Sequence, residues 1–184
     1  RDIILKPLDG MGGIGIFRVR PDGLDLGSLL ETLSRHGAVT VVAEDMLFPN
    51  GAVITPDGKR LIVGETMGNR LTAFDLAADG ALSNRRVFAE HEKLFPDGIC
   101  LDAEGAVWVA DPIGARVFRV REGGEVTDSI AFKDVIPVAC VLGGADRRTL
   151  LMCVAADWKR DVVLQARTGR IDACAVDVPG AGSP

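Results

Sequence analysis

The sequence predicts an all-β chain of the β-propeller class, and three observations carry that expectation. Leu47-Phe48-Pro49-Asn50-Gly51 returns 47 positions later as Leu94-Phe95-Pro96-Asp97-Gly98. Each copy opens the same succession: an apolar strand, a turn (Pro56-Asp57-Gly58 or Ala103-Glu104-Gly105), and two further apolar strands. A period in the forties with about four short strands per unit is the signature of propeller blades. The composition agrees: 22 glycines, nine prolines and no tyrosine in 184 residues suit many short strands joined by turns better than a helical bundle.

Taken in order, the chain opens on a stretch without clear periodicity. Gly10-Met11-Gly12-Gly13-Ile14-Gly15 lacks both the spacing and the following helix of a dinucleotide loop, and reads as a connection. Ile14 to Arg20 alternates as a strand and ends at the turn Pro21-Asp22-Gly23. Leu26, Leu29, Leu30 and Leu33 share one helical face, with Asp25 as N-cap and Gly37 as the stop, so a helical insertion is expected over 24–37. His36 falls at its end as a solvated residue. Val39 to Val42 resumes strand character.

The first full unit then runs to Phe88 and the second to Ile130. The charged connector 89–93 makes His91 a surface residue. A third unit offers strands over 138–142, 149–154 and 170–176, with an irregular or helical excursion over 158–167. The count is two strands of one blade, two whole blades and three strands of a last, in a single domain over 1–184. A blade without its neighbour leaves an apolar face bare, so self-association through exposed blade edges is expected.

A net charge of −5 without a Lys/Arg cluster excludes nonspecific nucleic-acid binding. The apolar runs are too short and too often broken by charges to span a membrane. Arg1-Asp2-Ile3-Ile4 has none of the features of a secretory leader, and an opening arginine suggests a truncated or processed product. Cys100, Cys140, Cys153 and Cys174 are widely spaced in apolar stretches, which reads as small buried hydrophobes in a reducing compartment, hence a cytoplasmic protein.

Pro-Asn-Gly and Pro-Asp-Gly are ordinary turn formers, and Pro56-Asp57-Gly58 serves as an internal control for that reading. Asn50 and Asp97 differ from it because each stands at the start of a first strand. First strands line the channel of a propeller, so equivalent residues of adjacent blades point toward one axis and can share a cation. Asn and Asp offer only oxygen, which suits Ca²⁺ or Mg²⁺, with Zn²⁺ tolerated. Turn chemistry and metal ligation both remain open on the motif alone. The end of each second strand lies on the same rim. That adds Glu65, Asn69 and Asp111 either as substrate-contacting groups or as a merely solvated acidic rim.

These motifs, in order and with the strands between them, resemble the SMP-30/gluconolactonase/luciferin-regenerating family. The resemblance rests on Phe48-Pro49-Asn50-Gly51, Thr55-Pro56-Asp57-Gly58, Glu65-Thr66, Pro96-Asp97-Gly98-Ile99-Cys100-Leu101-Asp102 and Val107-Trp108-Val109-Ala110-Asp111, and extends to Ala166-Arg167-Thr168-Gly169-Arg170. It implies a six-bladed propeller, of which about half to two-thirds is present here. It implies one divalent cation in the channel and hydrolysis of sugar lactones or related esters. Asn50 and Asp97 match the family's metal-binding asparagine and aspartate, and Asp97 also matches its proposed general base.

The family's third ligand, a glutamate of the first blade, and its substrate-contacting Arg and Asn have no counterpart between Arg1 and Gly37. Little or no turnover is therefore expected of the 184-residue chain alone. The alternative function is a non-catalytic propeller module that binds a ligand or partner. No Gly-x-Ser-x-Gly elbow signals a serine nucleophile.

Overall fold

The computed structural model describes residues 3–5, 17–19 and 41–182. The chain forms two compact units, Arg1–Glu44 and Asp45–Pro184, where the sequence reading took 1–184 as one domain. In the first unit β1 (Ile3–Leu5) pairs antiparallel with β2 (Phe17–Val19), which falls inside the strand expected over 14–20. The glycine-rich stretch 10–15 and the helix expected over 24–37 lie outside the described residues.

The second unit is a succession of antiparallel meanders. β3 (Pro49–Ile54), β4 (Arg60–Glu65), β5 (Arg70–Leu76) and β6 (Leu82–Glu90) form the first, paired in chain order. β7 (Ile99–Leu101), β8 (Val107–Asp111), β9 (Arg116–Val120) and β10 (Val126–Ala131) form the second. β11 (Ile136–Gly143), β12 (Thr149–Ala155) and β13 (Arg170–Ala175) form the third, with helix α1 (Arg160–Ala166) in the connection before β13. These are the strands the period-2 pattern predicts, including the helical excursion. Of the strand expected over 39–42, residues 39 and 40 lie outside the described residues, and 41–46 are irregular, with Val41 and Val42 exposed. Among the described residues β3 pairs with β4 alone in its sheet, and strand propensity without a pairing partner does not make a strand.

The meanders stack face to face. Ile62, Leu71 and Phe88 of the first pack against Val107, Val109 and Phe118 of the second. Trp108, Ala110 and Val117, from the opposite face of the second, pack against Leu142, Leu150 and Met152 of the third. β8 of the middle meander is thus apolar on both faces until Asp111, as burial from two sides demands.

The outer face of the third meander has no such cover among the described residues. Register places Val141, Leu151 and Ala173 on one rung of that face, and Cys153 beside Ile171 on the next. Ile171 is 68% exposed and Cys153 is exposed, which departs from the expectation that all four cysteines are buried. Cys153 is an odd residue of β12, whereas Leu150, Met152 and Val154 take the covered face. Trp158 and Leu164, in and before α1, add to the exposed apolar surface of this region.

Candidate functional site

The site begins with a bulge. β3 and β4 pair Pro49 with Glu65 and Ala52 with Val63, so one residue is gained in β3 across Asn50-Gly51. A bulge breaks the ladder and re-aims a side chain, which separates Asn50 physically from the hairpin turn at Asp57. Asp57 does what a turn residue does. Its Oδ1 accepts from Thr55 Oγ1 at 2.6 Å and from the Lys59 N–H at 3.1 Å, fully in solvent.

Gly51 explains the third position of the motif. A Cβ there would lie 2.3 Å from the Asp97 carbonyl oxygen, and the Gly51 N–H donates to that oxygen at 2.9 Å. Gly98 repeats the arrangement one meander on: its Cβ would meet Ala139 Cα at 2.6 Å, and its N–H donates to the Val138 carbonyl at 3.0 Å. Glycine is required because first strands of successive meanders touch backbone to backbone. The third meander carries Pro137-Val138-Ala139 at this place, again with a register irregularity after the proline. The position held by Asn50 and then by Asp97 is therefore held by Val138 in the third meander. The sequence reading missed this, because only the proline survives of the motif.

Asn50 and Asp97 are brought together. Both are half-buried, and the Asn50 side chain hydrogen-bonds the Asp97 carboxylate. Burial pushes the Asp97 carboxyl above the ordinary carboxylate range, and the Asn50 hydrogen bond opposes that without cancelling it. Thr66, which follows Glu65, joins the pair. Asn50 Nδ2 donates to Thr66 Oγ1 at 3.4 Å, and Thr66 Oγ1 donates to the Pro96 carbonyl at 2.6 Å. Sequence reading took Thr66 only as part of a motif; its hydroxyl ties the two Pro-x-Gly stretches together.

Glu65 and Asp111 reach the same end of their sheets, but neither presents its carboxylate to solvent; both are fully buried. Burial alone would raise the Glu65 pKa. Donors from Arg70, Thr72 Oγ1 and the Leu47 N–H outweigh it and hold the group at about 2. Asp111 accepts from the Gly114 N–H at 2.7 Å and from Arg116 Nε at 3.3 Å, while burial keeps its pKa raised. The two acids are equivalents: each ends a second strand and faces an arginine that starts the third. Asn69 caps the turn Thr66–Gly68 in the left-handed conformation, φ 52°, and its Nδ2 donates to the Leu94 carbonyl at 2.9 Å. In this structure all three brace loops beside the Asn50–Asp97 pair.

Among the described residues no group of three or more His, Cys, Asp or Glu side chains could hold a metal ion. The side chains that do meet are the Asn50 amide and the half-buried Asp97 carboxylate. All-oxygen donors of this kind fit a hard divalent cation. No described helix is long and apolar enough to cross a membrane.

Stacked antiparallel meanders with an amide–carboxylate pair where two first strands meet define a propeller-type all-β protein with a candidate cation site. Residues 11–156 match the SMP-30/Gluconolactonase/LRE-like region, and the chain belongs to that family. It is 31% identical over 170 residues to a 6-deoxy-6-sulfogluconolactonase of Pseudomonas putida, an alignment covering 86% of this chain and 56% of that enzyme. Among solved structures it is similar to regucalcin, a calcium-binding protein from Agrobacterium tumefaciens. That likeness has TM-score 0.66 and 26% identity, over 81% of this chain and 52% of the other. The chain therefore spans about half the length of these two relatives. A shorter match links 63 residues, 34% of the chain, to 18% of a glutathione synthetase from Ralstonia nicotianae at 49% identity.

Proposed function

We propose that the chain is part of a lactonase-type hydrolase acting on sugar lactones or related esters, with one divalent cation, Ca²⁺, Mg²⁺ or Zn²⁺, held by Asn50 and Asp97. The observation that carries this reading is the convergence of those two side chains at the junction of two first strands, in a chain of lactonase family. Such a cation would polarise the lactone carbonyl or acidify a water molecule. Asp97, with its carboxyl raised by burial, is suited to accept the proton of the attacking water. Asn50 contributes a neutral oxygen and holds the Asp97 carboxylate in place. The reading takes the working ring as six-bladed, with the remaining blades supplying the third ligand. With two side-chain ligands the 184-residue chain should hold the ion weakly and turn over little. Hydrolysis of a gluconolactone by a chain carrying all blades should cease on chelation and return with the metal; hydrolysis indifferent to chelator rejects the proposal.

The bare outer face of the third meander bears on partners. The first and second meanders each bury the equivalent face under the next sheet. We expect the isolated chain to self-associate through Val141, Leu151 and Ile171 at micromolar concentration. Sedimentation velocity should show species above 19.5 kDa that revert to monomer in the double variant Leu151→Glu, Ile171→Lys. A monodisperse wild-type monomer contradicts the expectation.

Arg1–Glu44 lacks the 47-residue repeat and forms its own compact unit. Deleting residues 1–40 is then expected to leave the thermal unfolding of the meanders, followed by the fluorescence of buried Trp108, within a few degrees of the full chain. A loss of cooperative unfolding would show that the unit is part of the propeller domain.

A further inference from the structure

We infer that Thr66 is a positioning residue that fixes which atom of Asn50 is offered to a cation; the inference rests on the cation reading above. An asparagine side chain has one acceptor oxygen and one NH₂ group with two donors, and only the oxygen can ligate a hard cation. In this structure Nδ2 donates to Thr66 Oγ1 at 3.4 Å, which turns the NH₂ side of the amide toward Thr66 and leaves Oδ1 for the ion.

Thr66 can accept from Asn50 in this way because its own proton is committed elsewhere. Its hydroxyl donates to the Pro96 carbonyl at 2.6 Å, a buried bond across 30 residues of sequence. A hydroxyl pinned as donor presents its lone pair to the second partner, and it therefore demands the NH₂ side of Asn50 rather than the oxygen. Thr66 is itself 6% exposed, and its N–H donates to the Phe48 carbonyl at 3.1 Å, so it does not drift. One hydroxyl thus orients the amide of the first motif and anchors the peptide that precedes Asp97 in the second. Orienting partners behind a ligand are worth roughly 10–100-fold in metal affinity where they have been removed.

The test uses the full chain and the near-isosteric substitution Thr66→Val, with Thr66→Ser retaining the hydroxyl. In Ca²⁺ titrations followed by NMR, Thr66→Val should weaken the apparent Kd about tenfold or more, and Thr66→Ser should stay within about threefold of wild type. A second measurement needs no cation. The Asn50 side-chain NH₂ signals, assigned by their loss in Asn50→Asp, should shift and exchange faster in Thr66→Val but not in Thr66→Ser. Wild-type protein that ignores Ca²⁺ would defeat the cation reading, and the amide signals would still test Thr66. Unchanged Asn50 NH₂ signals in Thr66→Val, or equal losses in the valine and serine variants, would overturn the inference.

Discussion

Replacing Asp97 by alanine is expected to abolish both cation binding and lactone turnover in a chain carrying all blades. Asp97 is the charged member of the pair and the group placed to accept a proton, so its loss removes two functions at once. Asn50→Ala should mainly weaken the cation, because it removes a neutral ligand and leaves the carboxylate. Activity should then return in part at high metal concentration, which Asp97→Ala will not show. Asp57→Ala, in the exposed hairpin turn, should leave turnover near wild type, since its contacts to Thr55 and Lys59 are local and solvated. Turnover that survives Asp97→Ala unchanged would reject the assignment.

Glu65→Ala is expected to cause the largest loss of stability, about 3–5 kcal/mol, by leaving buried donors without their acceptor. Arg70 reaches the carboxylate through two nitrogens at 2.9 and 3.1 Å, the Leu47 N–H does so at 2.6 Å, and Thr72 Oγ1 also donates. The pH dependence follows with a definite sign. The Glu65 carboxyl sits at about 2 in the folded chain against an ordinary 4.5. Its contribution, on the order of 3 kcal/mol, is therefore fully present above pH 4.5 and is lost as pH falls toward 2. Glu65→Gln should flatten the fall in urea midpoint across that acidic window while changing the slope with denaturant little. An unchanged acid limb in Glu65→Gln would show that other carboxylates control it.

Much of this architecture was legible from the chain because it is repeated. Two copies of one sentence fixed where strands begin. The pairing of Asn50 with Asp97 was legible for the same reason: equivalent positions of neighbouring units must meet. What could not be read depends on which side chains pair across strands and turns. Arg119 sits in a strand whose alternation gives no hint that it is 3% exposed. It is buried because Asp102 accepts from its Nε at 2.6 Å and Glu104 from its Nη2 at 2.8 Å. Glu65 and Asp111 look like rim acids until Arg70 and Arg116 are seen opposite them across the hairpin. The hydroxyl of Thr66 carries no periodic signal at all.

Gly51 and Gly98 answer to a steric demand, whereas the residue before each of them does not. At that preceding place the chain accepts an amide, a carboxylate and, in Val138, an isopropyl group, all on the same backbone path. Form and reactivity are thus written in adjacent letters that can change independently. A lineage built this way could gain, lose or relocate polar ligands by single substitutions along the first strands while the stacking of sheets goes on undisturbed. Relatives alike in shape could then differ widely in chemistry, and shape would be the poorer guide to what each one does.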